Sequence, residues 1–200
     1  MSPYEALVFD LGGVIVAHDN AVLYTRLASR CDRGCSVDDV QRIVGLPRWG
    51  TGEGSISELH AHLRDNADYA GDWETFVEDW CCHFTMDASM LAFVHDLRRN
   101  HRVMLFSNTN QEHWDYVDGL AGGVLKKFEA YLSHEIGLAK PAVASFEHVA
   151  RAAGVEASRC IFFDDVAENV EGARLAGFNA DVFTSEADLR RLLTDRGVDR

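Results

Sequence analysis

The feature that most constrains this 200-residue chain lies close to its start. Ala6-Leu7-Val8-Phe9 is an apolar run that ends in one carboxylate, Asp10, and Gly12-Gly13 follow almost at once. A short apolar run bounded by glycine reads as a buried strand. Such a strand is apolar on both faces when it lies inside a parallel sheet. In open α/β sheets, ligands sit outside the carboxyl ends of the strands. Asp10 is therefore predicted to face a ligand crevice, with the glycines letting the backbone turn and approach a bound group. Alone, Asp10 fits a turn cap equally well, so the remaining sequence has to decide.

Past Val16 the pattern becomes helical. Residues 21–30 carry Val22, Leu23, Leu27 and Ala28 on one side, and Ser36-Val37-Asp38-Asp39 starts a second helix. A glycine-rich loop, 45–54, lacks the GxxxxGK[ST] pattern that cradles phosphates. Ser55 with Glu58 forms a capping box, and Asp72 caps a helix whose Trp73, Phe76, Val77 and Trp80 make one apolar stripe, read as core or interface. No strand is predicted over 17–86, which reads as an all-helical insertion between core segments 1–16 and 87–200. From residue 87 helices and strands alternate. Strands are predicted at 102–108, 130–133, 160–165 and 179–183, and helices at 87–100, from 111, from Pro141 (as N1) to Gly154, at 167–176 and at 186–196. That alternation predicts an α/β fold with a doubly wound parallel, Rossmann-like sheet.

Composition limits the partners. A net charge of −13 leaves no basic face for nucleic acid or anionic membrane, although a small anionic substrate still fits a locally positive pocket. The apolar runs are too short to cross a bilayer, and the first residues show no basic, apolar signal pattern, which predicts a cytoplasmic protein. The five cysteines, Cys31, Cys35, Cys81, Cys82 and Cys160, match no structural-zinc spacing and are expected to be free thiols.

Three predicted strands end in polar groups: Asp10, Ser107-Asn108 and Asp164-Asp165, and Lys140 precedes a helix. In a parallel sheet these ends share one edge. Three close carboxylates need a cation, and an all-oxygen donor set suits Mg²⁺. Mg²⁺ and Lys140 together neutralise a phosphate group, which an ionised Asp10 could not otherwise approach. Ser107 and the Asn108 amide or backbone N–H add hydrogen bonds to phosphate oxygens. Asp10 then attacks phosphorus, and water hydrolyses the aspartyl-phosphate. Each residue also has a plain reading: Asp164-Asp165 or Ser107-Asn108-Thr109 as helix caps, Lys140 as a surface lysine.

Asp10-Leu11-Gly12-Gly13-Val14-Ile15, Ser107-Asn108-Thr109-Asn110, Lys140-Pro141 and Phe163-Asp164-Asp165-Val166-Ala167-Glu168-Asn169-Val170 together resemble, in order, the four motifs of the haloacid dehalogenase-like (HAD) hydrolase superfamily. The insertion at 17–86 is similar in place to the helical cap of one subgroup. The resemblance implies Asp10 as nucleophile, Lys140 pairing Asp10 and phosphate, Ser107 and Asn108 holding phosphate, and Mg²⁺ on Asp10, the Gly12 carbonyl, Asp165 and Asp164. It further implies a phosphatase acting on a small-molecule phosphate ester, such as a sugar phosphate. One departure stands out: most such phosphatases carry an acid–base Asp where this chain has Gly12. His18 and Asp19 are the nearest replacements in sequence, unless Asp19 caps a helix and His18 is solvated. Arg48 and Trp49, in the loop expected to reach the site, are candidate substrate contacts or plain cap residues. Two other functions share the motifs: a metal-independent dehalogenase using Asp10 on carbon, and a non-catalytic binding protein.

Overall fold

The computed structural model describes residues 3–31, 34–45, 48–49 and 51–198. Leu46, Pro47 and Gly50 of the expected glycine-rich loop lie outside the described residues. Five parallel strands form the main sheet: β1 (Ala6–Phe9), β4 (Val103–Ser107), β5 (Glu129–Leu132), β6 (Cys160–Asp164) and β7 (Asn179–Val182), in the order β5-β4-β1-β6-β7. β1 is central, which is why its residues are apolar without alternation.

Successive side chains of β1 still serve opposite faces. Leu7 and Phe9 join the cluster beneath α5 (Ala88–Leu97), α6 (Gln111–Leu120) and α10 (Glu186–Asp195). Ala6 and Val8 join the cluster beneath α8 (Val143–Ala153) and α9 (Ala167–Leu175). Burying an aromatic or large aliphatic side chain contributes about 1.5–3 kcal/mol. Phe9, Phe162 and Phe163, all wholly buried, therefore anchor the strand ends that carry the site. With helices on both faces, the sheet is doubly wound, as the alternation predicts.

The insertion holds α1 (Asn20–Ala28), α2 (Val37–Val44), α3 (Ile56–Ala67) and α4 (Trp73–Cys81), packed around an apolar cluster of their own. Ser36 and Ser55 both make capping boxes, and Asp72 accepts from Thr75 N–H. Phe76 and Trp80 of the α4 stripe are buried in that cluster, whereas Trp73 is exposed.

The insertion is not wholly helical. Val16–His18 (β2) and Phe84–Met86 (β3) pair antiparallel where the chain leaves and re-enters the core. Three-residue strands are too short to show alternation, and their pairing partner is remote in sequence, so periodicity cannot register them. Pro141 also departs from expectation. Helix α8 starts at Val143, after a turn in which Ala142 N–H donates to the Ala139 carbonyl, because Lys140 is pinned before the helix can begin. The remaining short helix is α7 (Ser133–Ile136). All five cysteines are free. No described helix is long and apolar enough to cross a membrane.

Candidate active site

Asp10, Ser107-Asn108 and Asp164-Asp165 meet at the carboxyl edge of neighbouring strands β4, β1 and β6. Lys140 comes in from the loop before α8. Its Nζ donates to Asp10 Oδ1 at 2.8 Å and to Asp164 Oδ2 at 2.6 Å. Lys140 is thus a buried bridge between two carboxylates, not a surface lysine. Its ammonium also lies 5.4 and 5.3 Å from the ring centres of Phe106 and Phe162.

Asn108 explains how Lys140 is held there. Its Nδ2 donates to the Lys140 carbonyl at 2.8 Å, and its Oδ1 accepts from Lys140 N–H at 2.9 Å. With both ends of the amide committed, a phosphate at this edge is left the Asn108 backbone N–H. Ser107 lines the cleft and is buried. The helix cap in this segment is Asn110, whose Oδ1 accepts from His113 N–H.

Asp164 is wholly buried and fully engaged. Beyond Lys140, Asp164 Oδ1 accepts from Val166 N–H at 2.8 Å, and Asn169 Nδ2 lies 3.1 Å from both carboxylate oxygens. Sequence reasoning assigned Asn169 no role. The signal available was its place one turn into α9, facing back to the strand end. Asp165 is exposed at the same edge and packs over Gly13. Gly13 has φ +72°, and a Cβ there would lie 2.2 Å from the Asp165 carboxyl carbon. Glycine is thus required here both for the backbone and for the carboxylate's approach.

Burial pushes the Asp10 carboxyl up to about 7, against the pull of Lys140 and with a smaller push from Asp164. Burial, and then Asp164, also raise Asp165. One oxygen from each of Asp10, Asp164 and Asp165 lies within 4.8 Å of the others. Three carboxylates against one ammonium leave an excess of negative charge, and the donors are all oxygen. Both facts fit a hard divalent cation, with Asp165 the least committed of the three.

A cleft of about 180 Å³ opens beside this cluster, between core and insertion. Gly12, His18, Asn20 and Asn108 are its more open residues, whereas buried Leu23, Trp80, His113 and Val117 form its depths. His113 ties the two parts together. Its Nε2 lies 3.3 Å from the Trp80 carbonyl, and its Nδ1 lies 3.3 Å from Asn110 Nδ2. A carbonyl only accepts, so Nε2 carries the proton and Nδ1 accepts from Asn110. Burial is the largest cause that drives this imidazole down to about 3, and His83 reinforces it.

The substrate contacts expected in the loop are not in the cleft. Trp49 is buried in the cap cluster, with Nε1 donating to the Val44 carbonyl. Arg48 lies over the Trp49 ring and faces Glu58. Both are cap residues because the indole's large apolar surface is better buried than left at a rim. The loop does reach the core by its backbone: the Trp49 carbonyl accepts from Asn110 Nδ2. Asp19 caps α1 through Ala21 N–H. His18, by contrast, is in the cleft wall.

Comparison with known proteins places this geometry in a family. A haloacid dehalogenase-like hydrolase model matches residues 4–177. D-ribitol-5-phosphate phosphatase of Bacteroides thetaiotaomicron is 28% identical over 94% of this chain and 96% of its own length. A phosphatase from Mycobacterium tuberculosis is 50% identical over a short match, 24% of this chain and 22% of its own. A solved HAD family enzyme from Bacteroides thetaiotaomicron, in complex with magnesium and inorganic phosphate, superposes with a TM-score of 0.82 at 23% identity, covering 94% of this chain and 98% of that one. The chain belongs to the haloacid dehalogenase-like hydrolases.

Proposed function

We propose that this hydrolase is a Mg²⁺-dependent phosphatase of a small sugar phosphate, working through an aspartyl-phosphate on Asp10. The observation that carries the reading is the Lys140 bridge between Asp10 and Asp164, with Asp165 beside it. A dehalogenase attacking neutral carbon has no need of three clustered carboxylates. A phosphatase needs a nucleophile and enough positive charge to bring an anion to it. The names of the phosphatase relatives support the same class.

Mg²⁺ would be held by Asp10, Asp165 and the Gly12 carbonyl, with Asp164 alongside. When bound, it supplies the positive charge that offsets the phosphate and the carboxylates. The chain's own residues supply the rest. Lys140 holds the Asp10 carboxylate in place through Oδ1, and the Leu11 N–H donates to the same oxygen at 2.7 Å. The other oxygen is left to attack phosphorus. Ser107 Oγ and the Asn108 N–H donate to the phosphate oxygens, in a cleft that sheds most of its water when filled. Asn108 and Asn169 act indirectly, by fixing Lys140 and Asp164.

The leaving alcohol would sit in the cleft of about 180 Å³ between core and insertion. Trp80 Nε1 and His83 Nδ1 are buried and have no hydrogen-bond partner among the described residues, and both side chains line the cleft. A substrate hydroxyl that reached either nitrogen would give it the partner it lacks, which supports a polyol or sugar. The test is phosphate release from a panel of pentose, hexose and polyol phosphates, with Mg²⁺ and with chelator, by wild type and Asp10→Asn. The expected result is Mg²⁺-dependent release by wild type alone. Equal release by Asp10→Asn refutes the reading.

A further inference from the structure

Turnover of a phosphate ester requires two proton transfers, and among the described residues the cluster around Asp10 holds no free group for them. An alkoxide leaving phosphorus must gain a proton. A water attacking the aspartyl-phosphate must lose one. The Lys140 ammonium is locked between Asp10 and Asp164. Asp164 is buried and spends its oxygens on Lys140, Asn169 and Val166. Asp165 sits over Gly13 in the cation cluster. Asp19 is spent on the α1 cap.

Of the three histidines that line the cleft, His83 and His113 are buried in its depths, and His18 is exposed beside Gly12 at the reacting edge. His18 ends β2 and lines the cleft with Gly12, Ser107 and Asn108. A Cβ placed on Gly12 would lie 3.6 Å from His18 Nδ1 and 3.8 Å from Cε1. The imidazole therefore covers the space that a side chain at position 12 would enter. Its place is fixed from the ribbon side, by pairing of His18 with Phe84, rather than by the cap helices. The titratable groups that face it are His83, edge-on at 6.5 Å between ring centres, and the Asp165 carboxyl; Asp19 is its chain neighbour.

We infer that His18 is the general acid and base of this enzyme, taking the place of a carboxylate that Gly12 cannot supply. The inference rests on the phosphatase reading. In the first half-reaction an Asp10 oxygen bonds to phosphorus while the bond to the ester oxygen breaks. The His18 imidazolium gives its N–H proton to that oxygen, leaving an alcohol and a neutral imidazole. In the second, the imidazole takes a proton from water as the water oxygen bonds to phosphorus. The bond to Asp10 breaks, returning the carboxylate, the imidazolium and inorganic phosphate.

The test compares two esters in Mg²⁺: D-ribitol 5-phosphate, whose alkoxide needs a proton, and p-nitrophenyl phosphate, whose leaving group does not. His18→Ala is expected to lose about 10²- to 10⁴-fold in kcat on the alkyl ester. On p-nitrophenyl phosphate it is expected to release about one p-nitrophenolate per enzyme in a rapid burst, then stall as the aspartyl-phosphate waits for a base. Because a Cβ at Gly12 meets only ordinary contacts, Gly12→Asp in the His18→Ala background is expected to restore alkyl-ester turnover. A merely structural role predicts the same loss on both esters and no burst. That result, or unchanged alkyl-ester turnover, overturns the inference. Failure of the wild type on these two esters and on the whole panel of pentose, hexose and polyol phosphates would instead overturn the phosphatase reading.

Discussion

Replacing Lys140 by Met removes the cation from between two buried carboxylates. Its Nζ lies 2.8 Å from Asp10 and 2.6 Å from Asp164, and the lysine and Asp164 side chains are almost fully excluded from water. At an effective dielectric near 20, each contact is a gross attraction of about 6 kcal/mol. Net of desolvation, breaking such a buried pair costs about 3–5 kcal/mol. A domain of this size loses about 2–4 °C per kcal/mol, so the melting temperature should fall by about 6–20 °C. The pH dependence has a definite sign. Burial already lifts Asp10 to about 7, and loss of the ammonium lifts it further above its unfolded value of about 3.9. A raised carboxyl binds its proton more tightly when folded, so its contribution is present at low pH and is lost as pH rises through the folded pKa. Thermal melts of wild type and Lys140→Met at about pH 5 and about pH 8.5 read this directly. The deficit should be largest at the higher pH and shrink on acidification, and activity should be lost at both. A variant that melts like wild type at high pH, or whose deficit grows on acidification, refutes the bridge.

Three further outcomes follow from the same geometry. Gly13→Ala forces a left-handed residue at a cost of roughly 1–2 kcal/mol and displaces Asp165, so the Mg²⁺ concentration for half-maximal activity should rise, whereas Gly12→Ala should leave stability nearly unchanged; Mg²⁺ titrations and melts check both. Asn108→Leu removes both bonds to the Lys140 backbone and should cost about 1–3 kcal/mol and lower kcat more than it raises KM, as steady-state kinetics on a responsive ester will show. His113, pushed down to about 3 by burial, stays neutral when folded, so its contribution is full above about pH 6.5 and falls by about 2 kcal/mol by pH 5. Denaturant unfolding at both pH values should show a shallower slope in His113→Gln. The comparison must be made between the two proteins, because Asp10 titrates in the same range with the opposite sign.

The parts of this molecule legible in the sequence are those fixed by local pattern. The three central strands, β4, β1 and β6, are short buried runs, and each ends in the polar residues that mark the edge, Ser107-Asn108, Asp10 and Asp164-Asp165. Most helices announce themselves by caps such as Asp72 and Ser55. Asp10, Lys140 and Asp164 were legible as a set because parallel topology brings strand ends together. What was hidden depends on pairing between distant segments. The β2–β3 ribbon has three residues per strand and no periodic signal. Asn108 looked like a phosphate ligand, but its side-chain amide is spent on the backbone of Lys140, a contact no spacing encodes. Arg48 and Trp49 illustrate the same limit: residue type alone does not separate a substrate contact from an indole buried in its own subdomain. His18 was visible only as a neighbour in sequence, and its place over Gly12 required the ribbon.

The central claim is that Asp10 becomes covalently phosphorylated during turnover. It is tested most directly by acid-quenching the enzyme with a ³²P-labelled substrate ester and Mg²⁺, then mapping the bound label by peptide. Acid-stable, hydroxylamine-sensitive phosphate is expected on the peptide containing Asp10, absent in Asp10→Asn and absent when Mg²⁺ is chelated. Label on another residue, or phosphate release by Asp10→Asn at the wild-type rate, contradicts it.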